Sequence, residues 1–150
     1  MINLDLAKYH QYLKMIVIGK KRMVFDPIRK SNFIIQTEEL VRQSWIQFIL
    51  KDCGIPESMI SVERKIKLFK LNKRFDMVIY QKADPYVLFE FKSFTQVIDN
   101  HVTQQIASYN MTLKVPYLVI SNGIQHFAFK VDHELRATTE LDNLDFLLVQ

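Results

Sequence analysis

The chain has 150 residues, 49% of them hydrophobic and 24% charged, with three glycines and four prolines. That balance excludes a disordered, collagen-like or low-complexity polypeptide and fits one domain with its own core. The net charge is +4, the pI is near 9.1, and the one cysteine, Cys53, excludes an internal disulfide or a zinc cluster, so a reducing cytoplasm is the expected compartment.

The first seven residues carry no Lys or Arg, and the longest early apolar run is Met15-Ile16-Val17-Ile18. Neither a signal peptide nor a membrane span is therefore expected. Residues 17–35 read as one or two strands broken by a turn at Asp26-Pro27, within an N-terminal extension over 1–36. The first clear helix covers 37–53, where Val41, Trp45, Phe48, Ile49 and Asp52 share a face and Gly54 with Pro56 supplies the stop. Strands are predicted over 60–69, 74–80 and, after the Ala83-Asp84-Pro85 turn, 86–91. A second helix between residues 97 and 113 puts Val102, Ile106, Tyr109 and Leu113 on one stripe. Residues 116–121 form a buried-type strand, Asn122-Gly123 a two-residue hairpin turn, and 124–131 the return strand. This order predicts an α/β (α+β) fold with a mixed central sheet flanked by helices. In it, three strands form an antiparallel meander, a helix crosses over, and the 116–121 strand joins parallel. The core is expected over 37–131 of a single domain, with an acidic tail over 132–150.

Charge is unevenly spread. Residues 64–74 hold Arg64, Lys65, Lys67, Lys70, Lys73 and Arg74 without an acid, whereas 132–145 holds Asp132, Glu134, Glu140, Asp142 and Asp145 against Arg136 alone. A polyanion on one face suits this asymmetry, and so does a plain solvated hairpin. In the first reading 64–74 and Lys20 to Arg22 contact phosphates while the tail faces away.

The chemistry lies on the strands. Alternation sends Glu90 and Lys92 to one face and Phe89 and Phe91 to the other, while Asp76 projects opposite to Phe75 and Met77. Two carboxylates and an ammonium on apolar strands need a reason, since burying unpaired charge is very unfavourable. A divalent cation provides one: Asp76, Glu90 and the Phe91 carbonyl offer the oxygen ligands Mg²⁺ prefers, with Mn²⁺ as a substitute, and Lys92 eases formation of a hydroxide nucleophile. A structural ion-pair cluster is the other explanation. Without a metal the acids repel one another, so replacing Asp76 or Glu90 by Ala is expected to leave the metal-free protein at least as stable. The acid-x-Lys triplet alone decides nothing, because Glu63-Arg64-Lys65 repeats it. Weight comes from an Asp on the preceding strand and a following helix with Gln105 and Tyr109 one turn apart. His10, His101, His126 and His133 are scattered without metal-ligand spacing, and Ser93 has no identifiable base.

Taken in order, Asp26-Pro27-Ile28-Arg29-Lys30, Glu38-Glu39-Leu40-Val41-Arg42-Gln43, Arg74-Phe75-Asp76, Glu90-Phe91-Lys92, Gln105-Ile106-Ala107-Ser108-Tyr109 and Ser121-Asn122-Gly123 resemble the N-terminal nuclease domain of type I restriction enzyme R proteins. That domain is a member of the PD-(D/E)XK nuclease superfamily, and the resemblance spans residues 16 to about 130. It implies a restriction-endonuclease-like αβββαβ core with an N-terminal strand extension. It also implies Mg²⁺ on Asp76 and Glu90, assistance to the attacking water from Lys92, and a supporting acid at Glu38 or Glu39. Gln105 and Tyr109 are implied beside DNA and the active site. Thr37 stands where the family often has Pro, which touches helix capping more than chemistry. Taking Glu38 as zero, Val41, Trp45 and Ile49 lie at about −60°, −20° and +20°, so helix geometry favours Glu38 as the inward acid and leaves Glu39 to the helix dipole. These residues contain no Walker loop or helicase motif, so a nuclease-like module is expected, with a protein partner for targeting or motor function.

Two classes of function follow. One is a Mg²⁺-dependent deoxyribonuclease, endonucleolytic or exonucleolytic, that leaves a 5′-phosphate and a 3′-hydroxyl. The other is a catalytically silent nucleic-acid- or protein-binding module on the same fold.

Overall fold

Chain reversals at Gly19 and at Asp26-Pro27 make three strands of the N-terminal segment rather than one or two. In the computed structural model, which describes residues 1–63, 65–68, 71–110 and 114–148, with side chains at all of these except 65–68, 71–73 and 109, these are β1 (Met15–Ile18), β2 (Lys21–Asp26) and β3 (Ser31–Ile34). They pair antiparallel in the order β1-β2-β3. Gly19 takes the first reversal at a φ of +64°. The buried Asp26 carboxylate takes the second by accepting the N–H groups of Ile28 (2.7 Å) and Arg29 (3.0 Å), the side-chain turn that Asp favours.

Helix α1 (Thr37–Lys51) follows with two acids, Glu38 and Glu39, in its first turn, where the helix dipole favours them. Gly54, at a φ of +68°, ends it. Its buried face carries Val41, Trp45, Ile46 and Ile49. Trp45 is fully buried, edge-on to Phe48, Phe89 and His126 at 5.5–5.6 Å between ring centres.

The main sheet has six strands in the order β11-β10-β9-β8-β7-β4: β4 (Ile60–Val62), β7 (Met77–Gln81), β8 (Asp84–Phe91), β9 (Tyr117–Ser121), β10 (His126–Asp132) and β11 (Ala137–Leu141). Among the described strands only β8 and β9 run parallel, joined through helix α2 (Asn100–Asn110), as the crossover predicts. Alternation along the strands separates two cores. Met77, Ile79, Val87, Phe89 and Phe91 pack under α1, while Val78, Leu88, Leu118 and Ile120 pack with Phe75, Ile98 and Ala107 on the α2 side. Fully burying one such Phe or Ile stabilises the fold by about 1.5–3 kcal/mol, so the two faces fix the register of every central strand.

Four expectations are corrected. The strand expected over 60–69 is broken: only β4 joins the main sheet, and β5 (Lys65–Leu68) with β6 (Leu71–Arg74) forms a separate hairpin. The break falls at Glu63, whose φ of +52° turns the chain out of the sheet. Asn122-Gly123 opens a longer loop, since Ser121 pairs with His126. Asn122 Oδ1 accepts the N–H groups of Ile124 (2.9 Å) and Gln125 (2.7 Å), and a Cβ on Gly123 would meet Val41 Cγ2 at 2.9 Å. On α2 the buried residues are Thr103, Ala107 and Asn110, with Val102 and Ile106 only partly covered, while Leu113 lies outside the described residues. The segment expected as a tail adds β11 to the sheet edge and returns Phe146 and Leu147 to the core, with Phe146 stacked on Tyr117 at 4.3 Å.

Candidate active site

β7 starts, and β8 and β9 end, at the same end of the sheet, because β7 runs against β8 and β9 runs with it. Successive strand amides point to opposite edges. Lys92 N–H therefore reaches Ser121 O of β9 (2.9 Å), and Phe91 N–H turns toward β7, where Asp76 Oδ2 accepts it at 2.7 Å. Asp76 occupies a bend between Phe75, which packs on the α2 side, and Met77, which packs under α1, so the expectation that it projects opposite to both is corrected; its other oxygen, Oδ1, lies 3.8 Å from Arg42 of α1. Glu90 shares the α2-side register of Leu88, and both Glu90 and Lys92 are half-buried. The segment Glu90-Phe91-Lys92 is thus held between a carboxylate on one edge and a serine carbonyl on the other.

A network of acids and arginines adjoins Asp76. The Asp26 turn aims Arg29 inward. Its Nε donates to Asp26 Oδ2 (2.6 Å), its Nη2 to Glu39, and its Nη1 lies 3.5 Å from Glu63, while the guanidinium sits 3.4 Å over the Phe33 ring. Arg42 donates through Nη1 to Glu39, and its Nη2 lies 3.3 Å from Glu63 and 3.8 Å from Asp76 Oδ1. Gln43 Nε2 donates to Glu39 at 3.0 Å. Helical spacing let Arg42 pair with Glu38 or Glu39, and the structure pairs it with Glu39. The periodicity did not show Asp26, Arg29 and Glu63 to be partners, for which the available signal was the Asp-Pro-x-Arg order, which marks a turn able to present an arginine.

Glu38 is exposed and Glu39 buried, although both line one cleft of about 420 Å³ with Arg29, Arg42 and Glu63. The choice of Glu38 as the inward acid is therefore reversed. Helical side chains lean toward the N-terminus, which carries a first-turn residue past the helix end, and Arg29, Arg42 and Gln43 together hold Glu39 inside. Gln105 is exposed, on the side of α2 away from Thr103 and Ala107, and no hydrogen bond joins it to Lys92 among the described residues. Tyr109 lies on α2 with its side chain outside the described residues, as are the side chains of Lys65, Lys67 and Lys73 on the β5–β6 hairpin. Arg64 and Lys70 lie outside them altogether. Arg74 is exposed and donates to Glu63 at 2.7 Å, and Lys20, Lys21 and Arg22 are exposed near the tip of the β1–β2 hairpin.

Among the described residues no three His, Cys, Asp or Glu side chains form a group able to hold a metal. Mg²⁺ needs fewer, since one or two carboxylates, waters and substrate phosphates commonly complete its shell. The hard oxygens of Asp76, Glu90 and the Phe91 carbonyl fit that requirement in chemistry. Glu39 does not join them, because its two oxygens already accept from Arg29, Arg42 and Gln43.

Two other groups are structural. Burial, and then the neighbouring Asp52 carboxylate, pushes the Cys53 thiol up to about 12, which keeps it protonated and unreactive. His126 accepts from Ser121 Oγ–H through Nδ1 (2.7 Å) and donates through Nε2–H to Leu4 O (3.0 Å), and burial lowers its pKa.

The sequence model of the type I restriction enzyme R protein N terminus (HSDR_N) matches residues 37–144, most of the chain. The chain belongs to this family. No curated protein and no solved structure matches it. The restriction-enzyme match begins at α1, so Asp26 and Arg29, which hold Glu39 in place, come from the sheet that precedes it. Among the described residues no helix is long and apolar enough to cross a membrane.

Proposed function

We propose that this chain is a Mg²⁺-dependent DNA nuclease module that hydrolyses phosphodiester bonds, in keeping with its restriction-enzyme family. The observation that carries the reading is the Asp76 hydrogen bond to Phe91 N–H, which fixes one carboxylate beside the strand end bearing Glu90 and Lys92. Asp76, Glu90 and the Phe91 carbonyl would hold the ion. When bound, a divalent ion neutralises phosphate charge and eases deprotonation of a water. Lys92 places its ammonium at the strand end, where it orients the attacking water and offsets charge developing on the phosphate. Water adds to phosphorus in line, the P–O3′ bond breaks, and the leaving oxygen takes a proton to give a 3′-hydroxyl and a 5′-phosphate. Exposed Gln105, Arg74 and Lys20 to Arg22 supply contacts to the DNA backbone, with Tyr109, Lys65, Lys67 and Lys73 in the same role. Other subunits of a restriction complex are the expected partners.

One observation favours a second reading. Asp76 already serves an amide and lies beside Arg42, so its carboxylate has a structural use in a module that binds nucleic acid without turnover. Incubating linear, circular and single-stranded DNA with the protein and Mg²⁺ or Mn²⁺ separates the two. The nuclease reading expects metal-dependent cleavage that Lys92→Ala abolishes and chelator stops. DNA retention without cleavage by purified wild type selects the silent module.

A further inference from the structure

We propose that Arg42 is a positioning residue for Asp76, its guanidinium standing beside that carboxylate as a cation in the metal-free protein and moving wholly onto Glu63, which it already contacts, when a divalent ion binds. The proposal rests on the reading of Asp76 as a metal ligand.

The two ends of the Arg42 fork are held unequally. Nη1 is fixed on Glu39, whereas Nη2 donates to Glu63 Oε1 at 3.3 Å and stands 3.8 Å from Asp76 Oδ1, close enough to pair with its charge. The residue is 3% exposed and its Nε has no hydrogen-bond partner among the described residues, so no third protein acceptor fixes the fork in one seat. A guanidinium stays charged even when buried, and it must remain on a carboxylate. Two cations on one carboxylate repel, so an ion arriving at Asp76 favours the nearby seat on Glu63.

Glu63 is built as that seat. It adopts a φ of +52°, which costs free energy for a residue with a side chain, and its N–H donates to Asp76 O at 3.1 Å. Its carboxylate also receives Arg74 at 2.7 Å and Arg29 at 3.5 Å, and it stays partly open to solvent. The strained turn therefore ties the second seat to the backbone of the residue whose charge Arg42 balances.

Two measurements test this. The first is chemical denaturation of metal-free wild type, Glu63→Gln, Asp76→Asn and the double variant. With the Glu63 charge gone, Nη2 settles on Asp76, so Asp76→Asn lowers the folding equilibrium constant about threefold to tenfold more in the Glu63→Gln background than in wild type. Additive effects overturn the proposal. The second is calorimetric titration with Mn²⁺. Glu63→Gln should bind about fivefold to tenfold more weakly than wild type, whereas Arg42→Lys, whose single ammonium remains on Glu39, should bind more tightly. A purely structural Glu63 lowers stability and leaves Mn²⁺ affinity unchanged, and that result, or a shift of both variants in the same direction, overturns the proposal. Wild type that binds no Mn²⁺ overturns the nuclease reading instead, while the metal-free cycle alone still decides whether Arg42 bears on Asp76.

Discussion

Glu39 and Glu90 are carboxylates on the two regular elements that bring charge to this part of the molecule, yet their surroundings differ. Glu39 is 8% exposed and accepts from two guanidiniums and an amide, with Arg29 in turn fixed by the buried Asp26. Glu90 is half-buried at the end of β8, two residues from a half-buried lysine. Deeply buried charge persists only with partners that hold it, and such groups serve the fold. Glu90, at a strand end, is reached by solvent and can be approached by a ligand. Asp76 stands between the two regions, bound to a backbone amide and beside Arg42, and it has a share in both roles.

The largest effect should come from the buried side. Glu39→Ala leaves Arg29 and Arg42 without their shared carboxylate, and breaking a buried ion pair from one side costs about 3–5 kcal/mol. Urea denaturation measures it, and a loss below about 1 kcal/mol would erase the distinction between the two regions.

Asp76 gives the intermediate case. Its removal was expected from the sequence to relieve repulsion, but Asp76→Ala strands the Phe91 N–H and costs about 1–3 kcal/mol in metal-free protein. Asp76→Asn keeps an acceptor and should cost clearly less. Equal losses for Ala and Asn would mean that the charge, through Arg42, matters more than the hydrogen bond.

A smaller effect depends on pH. His126 is held neutral, with burial lowering its pKa below the ordinary value of about 6.5. The unfolded chain therefore takes up the proton first as pH falls. The His126 contribution to stability is complete above about pH 6.5 and is lost progressively below it, down through the folded-state pKa. His126→Gln should be less stable at neutral pH and show a flatter decline in urea midpoint on acidification. An unchanged slope would remove His126 from the acid sensitivity of the fold.

Much of the fold was legible because central strands and α1 must bury alternate or periodic side chains, and that requirement is written in residues such as Phe89, Phe91, Trp45 and Ile49. The parallel β8–β9 pairing followed from a helix-length crossover between them. The local turn at Glu63 was hidden, since nothing in Glu63-Arg64-Lys65 forces a left-handed residue. The C-terminal return was hidden as well. Its anchor is Phe146 stacking on Tyr117, and Tyr86 Oη–H donating to Phe146 O at 3.1 Å, pairings between distant residues that no short window contains. At the candidate site, Glu90 and Lys92 were visible as charges on or beside an apolar strand, and Asp76 as one beside another, though it falls in the bend before β7. The choice between Glu38 and Glu39 was not, because it is made by Arg29 arriving from another sheet.

On the proposed reading Asp76 and Glu90 together would hold a divalent ion at the end of β8. Calorimetric titration of Mn²⁺ into wild type, Glu90→Gln and Lys92→Ala, with DNA present, is the decisive measurement. Binding by wild type and Lys92→Ala with none by Glu90→Gln is the predicted pattern. No Mn²⁺ uptake by wild type, or undiminished uptake by Glu90→Gln, would contradict it.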